Sequence, residues 1–263
     1  MSRNPSNPEA FPERIFKPPS EIGQNHKVRP HVAAFVAACA KSRRALRMNV
    51  VVDGLENIPE TGSFIFAPDH HSFYDALVNG IMLEDGVFKD RVRGDREVYF
   101  SAKSEIWEFG PAQIVGRALQ PIIEPLGAVA TRRKGGGTER FIEDFTYLLE
   151  HPRSDDGVLE IAYPGGTRVA TGATDKIRTG VTRLSRETGT PVIPVGQVNT
   201  ELVARQMFNP LVRTDIGVKI GEPFYPSQFD AADPEEAVAN QNFYMLESIK
   251  GLTRQAGEMI GQE

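Results

Sequence analysis

Two histidines and an aspartate open the question of chemistry. In the stretch APDHHSFYDA, residues 67–76, an apolar run ends at Pro68, His70 and His71 follow, and Asp75 stands five residues after His70. A histidine titrates near neutrality, so its neutral ring can take a proton from a hydroxyl. A carboxylate one helical turn away can fix the tautomer and stabilise the imidazolium that forms. Spacing alone does not single the pair out, because His151 and Asp156 in HPRSDD repeat it. That second copy follows a surface helix in a polar turn and reads as a solvated loop. The first copy lies just past an apolar strand, at the strand end where sheet enzymes place their chemistry. A purely structural histidine is the competing reading.

Two glycine-bearing loops add cations. LGAVATRRKGGG, residues 126–137, delivers Arg132, Arg133 and Lys134 into a glycine run. Arginine offers a rigid fork of donors to phosphate, so an anion site competes with an ordinary solvated charge run. IAYPGGTRVATG, residues 161–172, ends an apolar strand at Pro164; Gly165 and Gly166 permit close backbone approach, and Thr167 and Arg168 follow. A plain turn with an exposed arginine is the alternative there. The chain has no Gly-x-Ser-x-Gly elbow, no phosphate loop of the Gly-x4-Gly-Lys type, no His-Glu-x-x-His helix and no Gly-x-Gly-x-x-Gly fingerprint. Direct transfer between two bound substrates is the scheme these absences leave.

The elements that must position these residues follow from the apolar pattern. Of 263 residues 40% are hydrophobic and 25% charged, which is enough for a sizeable core. The net charge of −5 argues against nucleic acid as a partner. The one cysteine, Cys39, allows no intramolecular disulfide and no cysteine-based zinc site; it reads as a small buried apolar residue in a reducing compartment. No signal peptide and no apolar run of spanning length is legible, so the expected location is cytoplasmic. Residues 1–29 read as an irregular arm, and 30–263 as one domain. Residues 31–48 read as a helix with an apolar first half and Lys41, Arg43, Arg44 and Arg47 in the second. It either packs on the domain with a solvated basic end or lies on anionic lipid. Beyond it, strands are expected at 49–53, 63–67, 97–101, 128–131, 158–163, 191–198 and 216–220. Helices are expected at 75–83, 111–126 (broken by Pro121 and Pro125), 138–150, 179–187 and 234–260. This alternation predicts an α/β fold: a central, mostly parallel but mixed sheet with helices on both faces.

The order of these segments resembles the glycerolipid acyltransferase family, whose best-known members are 1-acylglycerol-3-phosphate acyltransferases. That family's Asn-His-x-Ser-x-x-Asp block appears as Asp69-His70-His71-Ser72-Phe73-Tyr74-Asp75, with Asp for the leading Asn. Gly127 and Arg133 fit its second block. Its Phe-Pro-Glu-Gly-Thr-Arg block reads Tyr163-Pro164-Gly165-Gly166-Thr167-Arg168, and Pro191-Val192-Ile193-Pro194-Val195 matches the fourth. Lys103 stands where many members carry Ala-Lys after a strand. The resemblance spans residues 48–222 and implies a glycerol-3-phosphate acyltransferase-like fold. It implies that His70 is the base and Asp75 its partner, and that Arg133, Arg168, Gly165, Gly166 and Thr167 serve the acceptor and its phosphate. Ser72, Lys103 and Pro194 would shape the acyl site or support it. The implied reaction takes a fatty acyl group from a coenzyme A or carrier-protein thioester to the hydroxyl of 1-acylglycerol-3-phosphate, giving phosphatidic acid. The thioester is a substrate; no cofactor or metal is expected. The resemblance also favours peripheral attachment of helix 31–48 to the cytosolic face of a membrane. Gly165 replaces the family's glutamate, which leaves open a lysophospholipid, glycolipid or neutral lipid acceptor. A lipid-binding relative without turnover is the remaining alternative.

Overall fold

The computed structural model describes residues 47–72, 74–84, 96–103, 127–131, 137–152, 155–166, 168, 174–203, 205, 209 and 213–262, together with 34, 37, 38 and 41. Cys39, the arm 1–29 and the expected helix 111–126 lie outside the described residues. Within the expected helix 31–48, Ala34, Ala37, Ala38 and Lys41 are helical, but the helix ends sooner than expected: Arg47 is in a turn with φ 51° and Met48 already begins a strand, paired with Thr214.

Among the described residues, seven strands form one sheet: β1 (Met48–Asp53), β2 (Phe64–Pro68), β3 (Glu97–Lys103), β4 (Ala128–Thr131), β5 (Val158–Ile161), β6 (Val192–Val198) and β7 (Thr214–Ile220). Their order is β1-β7-β6-β2-β5-β3-β4. Neighbours run parallel except β6 and β7, so β1 and β7 oppose the other strands. The mostly parallel, mixed sheet expected from the alternation is therefore present. Its most buried strands, β2 and β5, are continuous apolar runs broken only by Glu160, as a sheet covered on both faces requires.

Strand boundaries shift where a neighbour dictates them. β3 runs to Lys103 because Phe100 through Lys103 pair with Ala128 through Thr131. β7 starts at Thr214 because Met48 and Asn49 pair with Thr214 and Asp215. β5 stops at Ile161, and the chain enters a turn closed by Gly166 N donating to Tyr163 O at 3.0 Å. Pro68 does not end β2 early; it is the strand's last residue, in register with Val195.

Alternation along β2 sends Phe64 and Phe66 to one face and Ile65 and Ala67 to the other. The first face is covered by α1 (Asp75–Glu84) through Val78, Ile81 and Met82. The second carries α2 (Gly137–Glu150), α3 (Gly180–Thr188) and α4 (Pro234–Glu258) through Phe145, Leu148, Val181, Leu184, Met245 and Ile249. α4 lies directly on β6 and β7. A Cβ on Gly196 would stand 2.1 Å from Thr253 N, and one on Gly217 would stand 2.0 Å from Ala256 O, so only glycine admits the helix backbone there.

One buried group conflicts with this core. Glu160, in the middle of β5 between Ile65 and Tyr99, is fully buried, and neither carboxyl oxygen has a hydrogen-bond partner among the described residues. Burial pushes its pKa well above the usual carboxylate range, so it keeps its proton in the folded protein. The folded state then holds a proton that the unfolded chain releases. Stability is greatest below the ordinary glutamate value, about 4.3, and falls as pH rises toward the raised folded value. Glu160→Gln removes that titration. Chemical denaturation at about pH 5 and about pH 8 is expected to show the parent losing stability over the interval and the variant losing less.

Candidate active site

The segment after β2 builds its own anchor. The turn from Ser72 to Asp75 caps the start of α1: Ser72 N donates to both Asp75 oxygens at 3.1 Å, and Tyr74 N donates to Ser72 Oγ at 2.9 Å. The same carboxylate, 1% exposed, accepts His70 Nδ1 at 2.5 Å, His71 N at 2.9 Å and Thr200 Oγ1 at 2.5 Å. Every neighbour is a donor, so both oxygens are used as acceptors. Ser72 Oγ lies 3.1 Å from Thr200 O, tying the cap to the turn after β6.

Because Nδ1 donates to Asp75, the lone pair of a neutral His70 sits on Nε2. The His70 side chain is 20% exposed. One face of the ring stacks on Tyr163, with centroids 4.2 Å apart and planes at 29°. The Tyr163 hydroxyl accepts from Asn79 Nδ2 at 3.0 Å, and Asn79 lies one turn of α1 beyond Asp75. Burial, then the Asp75 charge, pushes the Tyr163 phenol above its ordinary value, so it stays protonated. The ring is therefore held at its nitrogen by Asp75 and on its face by Tyr163. These residues come from the carboxyl ends of β2, β5 and β6, three adjacent strands.

The glycine turn adjoins this pair through Tyr163. Gly166 has φ 62°, the left-handed region that glycine adopts without strain. A Cβ there would meet Arg178 Nε at 3.0 Å, so the arginine lies against the turn; Arg178 N also donates to Pro164 O at 2.9 Å. The exposed Arg178 side chain has no ion pair or hydrogen bond among the described residues. The same segment bonds the loop after β2, since Thr174 N donates to Asp69 Oδ2 at 3.2 Å.

Of the residues marked by the sequence, His70, Asp75 and Ser72 converge, and Gly165 and Gly166 stand beside them. Arg168 is exposed past the turn. Arg133, with Arg132 and Lys134, and Thr167 lie outside the described residues. Lys103 ends β3, with its side chain outside the description. Pro194 sits on β6 opposite Ala67. Its carbonyl accepts Gly221 N at 2.9 Å on the side where β7 ends, so its missing N–H interrupts no ladder. The second histidine–aspartate spacing is separate: His151 is exposed, its Nδ1 lies 3.0 Å from Tyr147 O, and its ring stacks on Tyr147. Among the described residues no group of three or more His, Cys, Asp or Glu could hold a metal ion.

Sequence patterns do not single out Thr200, Asn79, Tyr163 or Arg178 as site residues. Tyr163 carries a legible signal, since it continues the alternation of Leu159 and Ile161 onto the α1 face. Thr200 and Asn79 are ordinary polar residues near element ends, and only the packing of β6 and α1 brings them to Asp75 and Tyr163.

A family model described as Acyltransferase matches residues 49–198. No curated protein matches the chain. Among solved structures, the chain is similar in fold to the 1-acyl-sn-glycerophosphate (LPA) acyltransferase PlsC from Thermotoga maritima. The TM-score is 0.56 at 23% identity, covering 88% of this chain and 80% of that one.

Thr200 offers a direct check of the anchor. Thr200→Val keeps the shape and removes one buried donor to Asp75, so urea unfolding is expected to report a loss of about 1.5–3 kcal/mol. Thr200→Ser, which keeps the hydroxyl, is expected to lose less.

Proposed function

This chain belongs to the acyltransferase family, and from that premise we propose that it moves a fatty acyl group from an acyl thioester to the hydroxyl of an anionic lysophospholipid of the lysophosphatidate type. The observation that carries the reading is the His70–Asp75 bond of 2.5 Å with Nε2 left as the ring's free lone pair. The acceptor hydroxyl bonds Nε2. As its oxygen attacks the thioester carbonyl, the proton passes to His70, and the charge on the imidazolium is balanced by Asp75. The tetrahedral intermediate then breaks its carbon–sulfur bond, and the departing thiolate takes the proton from His70. The balance is one ester and one thiol formed from one alcohol and one thioester. The donor is a coenzyme A or carrier-protein thioester.

The acceptor's class rests on charge. Gly165 replaces the glutamate of the resembling family and by itself leaves a neutral acceptor open; the cation beside the turn is what favours an anionic one. Arg178, whose side chain lies against Gly166, supplies a donor beside this turn. The similar PlsC protein is an acyltransferase for 1-acyl-sn-glycerophosphate, an acceptor of this kind. Both substrates carry acyl chains, which favours work at a membrane surface; no helix among the described residues is long and apolar enough to cross one. The stretch ahead of β1, with Lys41, Arg43, Arg44 and Arg47, is the segment suited to lie on anionic lipid at its cytosolic face.

The test is thiol release from acyl-CoA with purified protein. His70→Ala is expected to lose roughly 10²- to 10⁴-fold in turnover while its circular dichroism stays native. Near-parental turnover in that variant would overturn the mechanism. Lysophosphatidate is expected to be used in preference to monoacylglycerol of the same chain, and Arg178→Ala is expected to raise KM for the former alone. Equal use of the two acceptors would instead support a neutral lipid alcohol as the natural acceptor.

A further inference from the structure

Asp69 precedes His70 and points to the opposite face of the sheet, and all of its polar atoms are engaged. Its N–H donates to Val195 O at 2.9 Å, and its carbonyl accepts Gln197 Nε2. Oδ1 accepts His70 N at 2.9 Å. Oδ2 accepts Thr174 N and Thr253 Oγ1, each at 3.2 Å, and lies 3.3 Å from His71 Nε2. Asp69 is 2% exposed and His71 6%. Asp69 thus ties the loop carrying His70 to β6 through its backbone, and to the 174–178 segment and α4 through its side chain. The resembling family carries Asn at this place. An amide has one oxygen, and its NH₂ would face donors at the Oδ2 position, so the observed set suits a carboxylate.

The neighbouring histidine completes the arrangement. Burial disfavours a charged His71, but the nearby Asp69 carboxylate and the Asp75 and Glu201 charges outweigh it, and the ring's affinity for a proton is raised. His71 N meanwhile donates to Asp75 Oδ2, so the Asp69–His71 and His70–Asp75 pairs interleave along one loop.

We propose that the Asp69 carboxylate is a positioning residue for His70, acting with the adjacent His71 ring as a buried clamp that holds the loop against α4 and the 174–178 segment while His70 works on the α1 side. Asp69 touches no reacting atom; it acts through the backbone it fixes. Its kinetic consequence rests on the proposed function, and its spectroscopic one does not.

The variants are Asp69→Asn, His71→Gln and their combination, read two ways. In the proton NMR spectrum, the downfield resonance of the His70 Nδ1 proton shared with Asp75 is expected to broaden or move upfield in Asp69→Asn. In thiol-release kinetics kcat is expected to fall about ten- to a hundredfold, with KM for donor and acceptor changed less than about twofold. The double variant is expected to be no worse than Asp69→Asn, because the two residues act as one unit. An unchanged resonance with unchanged kcat, or losses that simply multiply in the double variant, would overturn the clamp. Should Asp69→Asn fail to fold, His71→Gln must show the same resonance change and the same kcat-only loss, and its failure to do so overturns the clamp equally. If the parent releases no thiol with any acceptor, the proposed function falls, and the resonance arm alone decides the clamp.

Discussion

The carboxylate of Asp75 is the point on which the local structure turns. It closes the first turn of α1 with Ser72, receives the backbone of His71, receives the hydroxyl of Thr200 from beyond β6, and holds His70 by its ring nitrogen. A buried carboxylate is costly unless its oxygens are satisfied. Here the groups that satisfy it are the ones that define the site. Folding of the loop and orientation of the imidazole are consequently one event.

That loop lies at the edge of two different packing environments. On the α1 side, Tyr163 and Asn79 form a platform for the His70 ring. On the other side, Asp69 reaches Thr253 of α4, which is possible because Gly196 and Gly217 let the helix backbone rest on the strands. Alternation of side chains along an extended chain sends residues 69 and 70 to these opposite sides. A sheet with helices on both faces can therefore grip a two-residue step from above and below.

Charge is handled differently at each buried site. Asp69 and Asp75 are surrounded by donors, whereas Glu160 has none among the described residues and keeps its proton. The glycine turn lacks the acid its resembling relatives carry, and Arg178, with no ion pair among the described residues, lies against it. The proposed acceptor preference rests on the cation beside this turn, and the proposed acyl transfer on the histidine that stacks on its first residue, Tyr163.

Much of this is written in local patterns. Apolar alternation marks the strands and helices to within a few residues. Pro68, the two histidines and Asp75 mark the site, because strand ends and capping chemistry depend on near neighbours. Context separates His70 from His151, and the second stands apart in the structure as well. Local patterns do not carry the reversal of β1 and β7, the extension of β3 by its pairing with β4, or the partners from distant segments. Thr200, Thr253 and Gln197 lie 125 to 184 residues from the carboxylates or carbonyl they serve. Their meaning appears only when β6 and α4 close over the loop, since a hydroxyl or amide has no role until an acceptor is brought within hydrogen-bond reach of it.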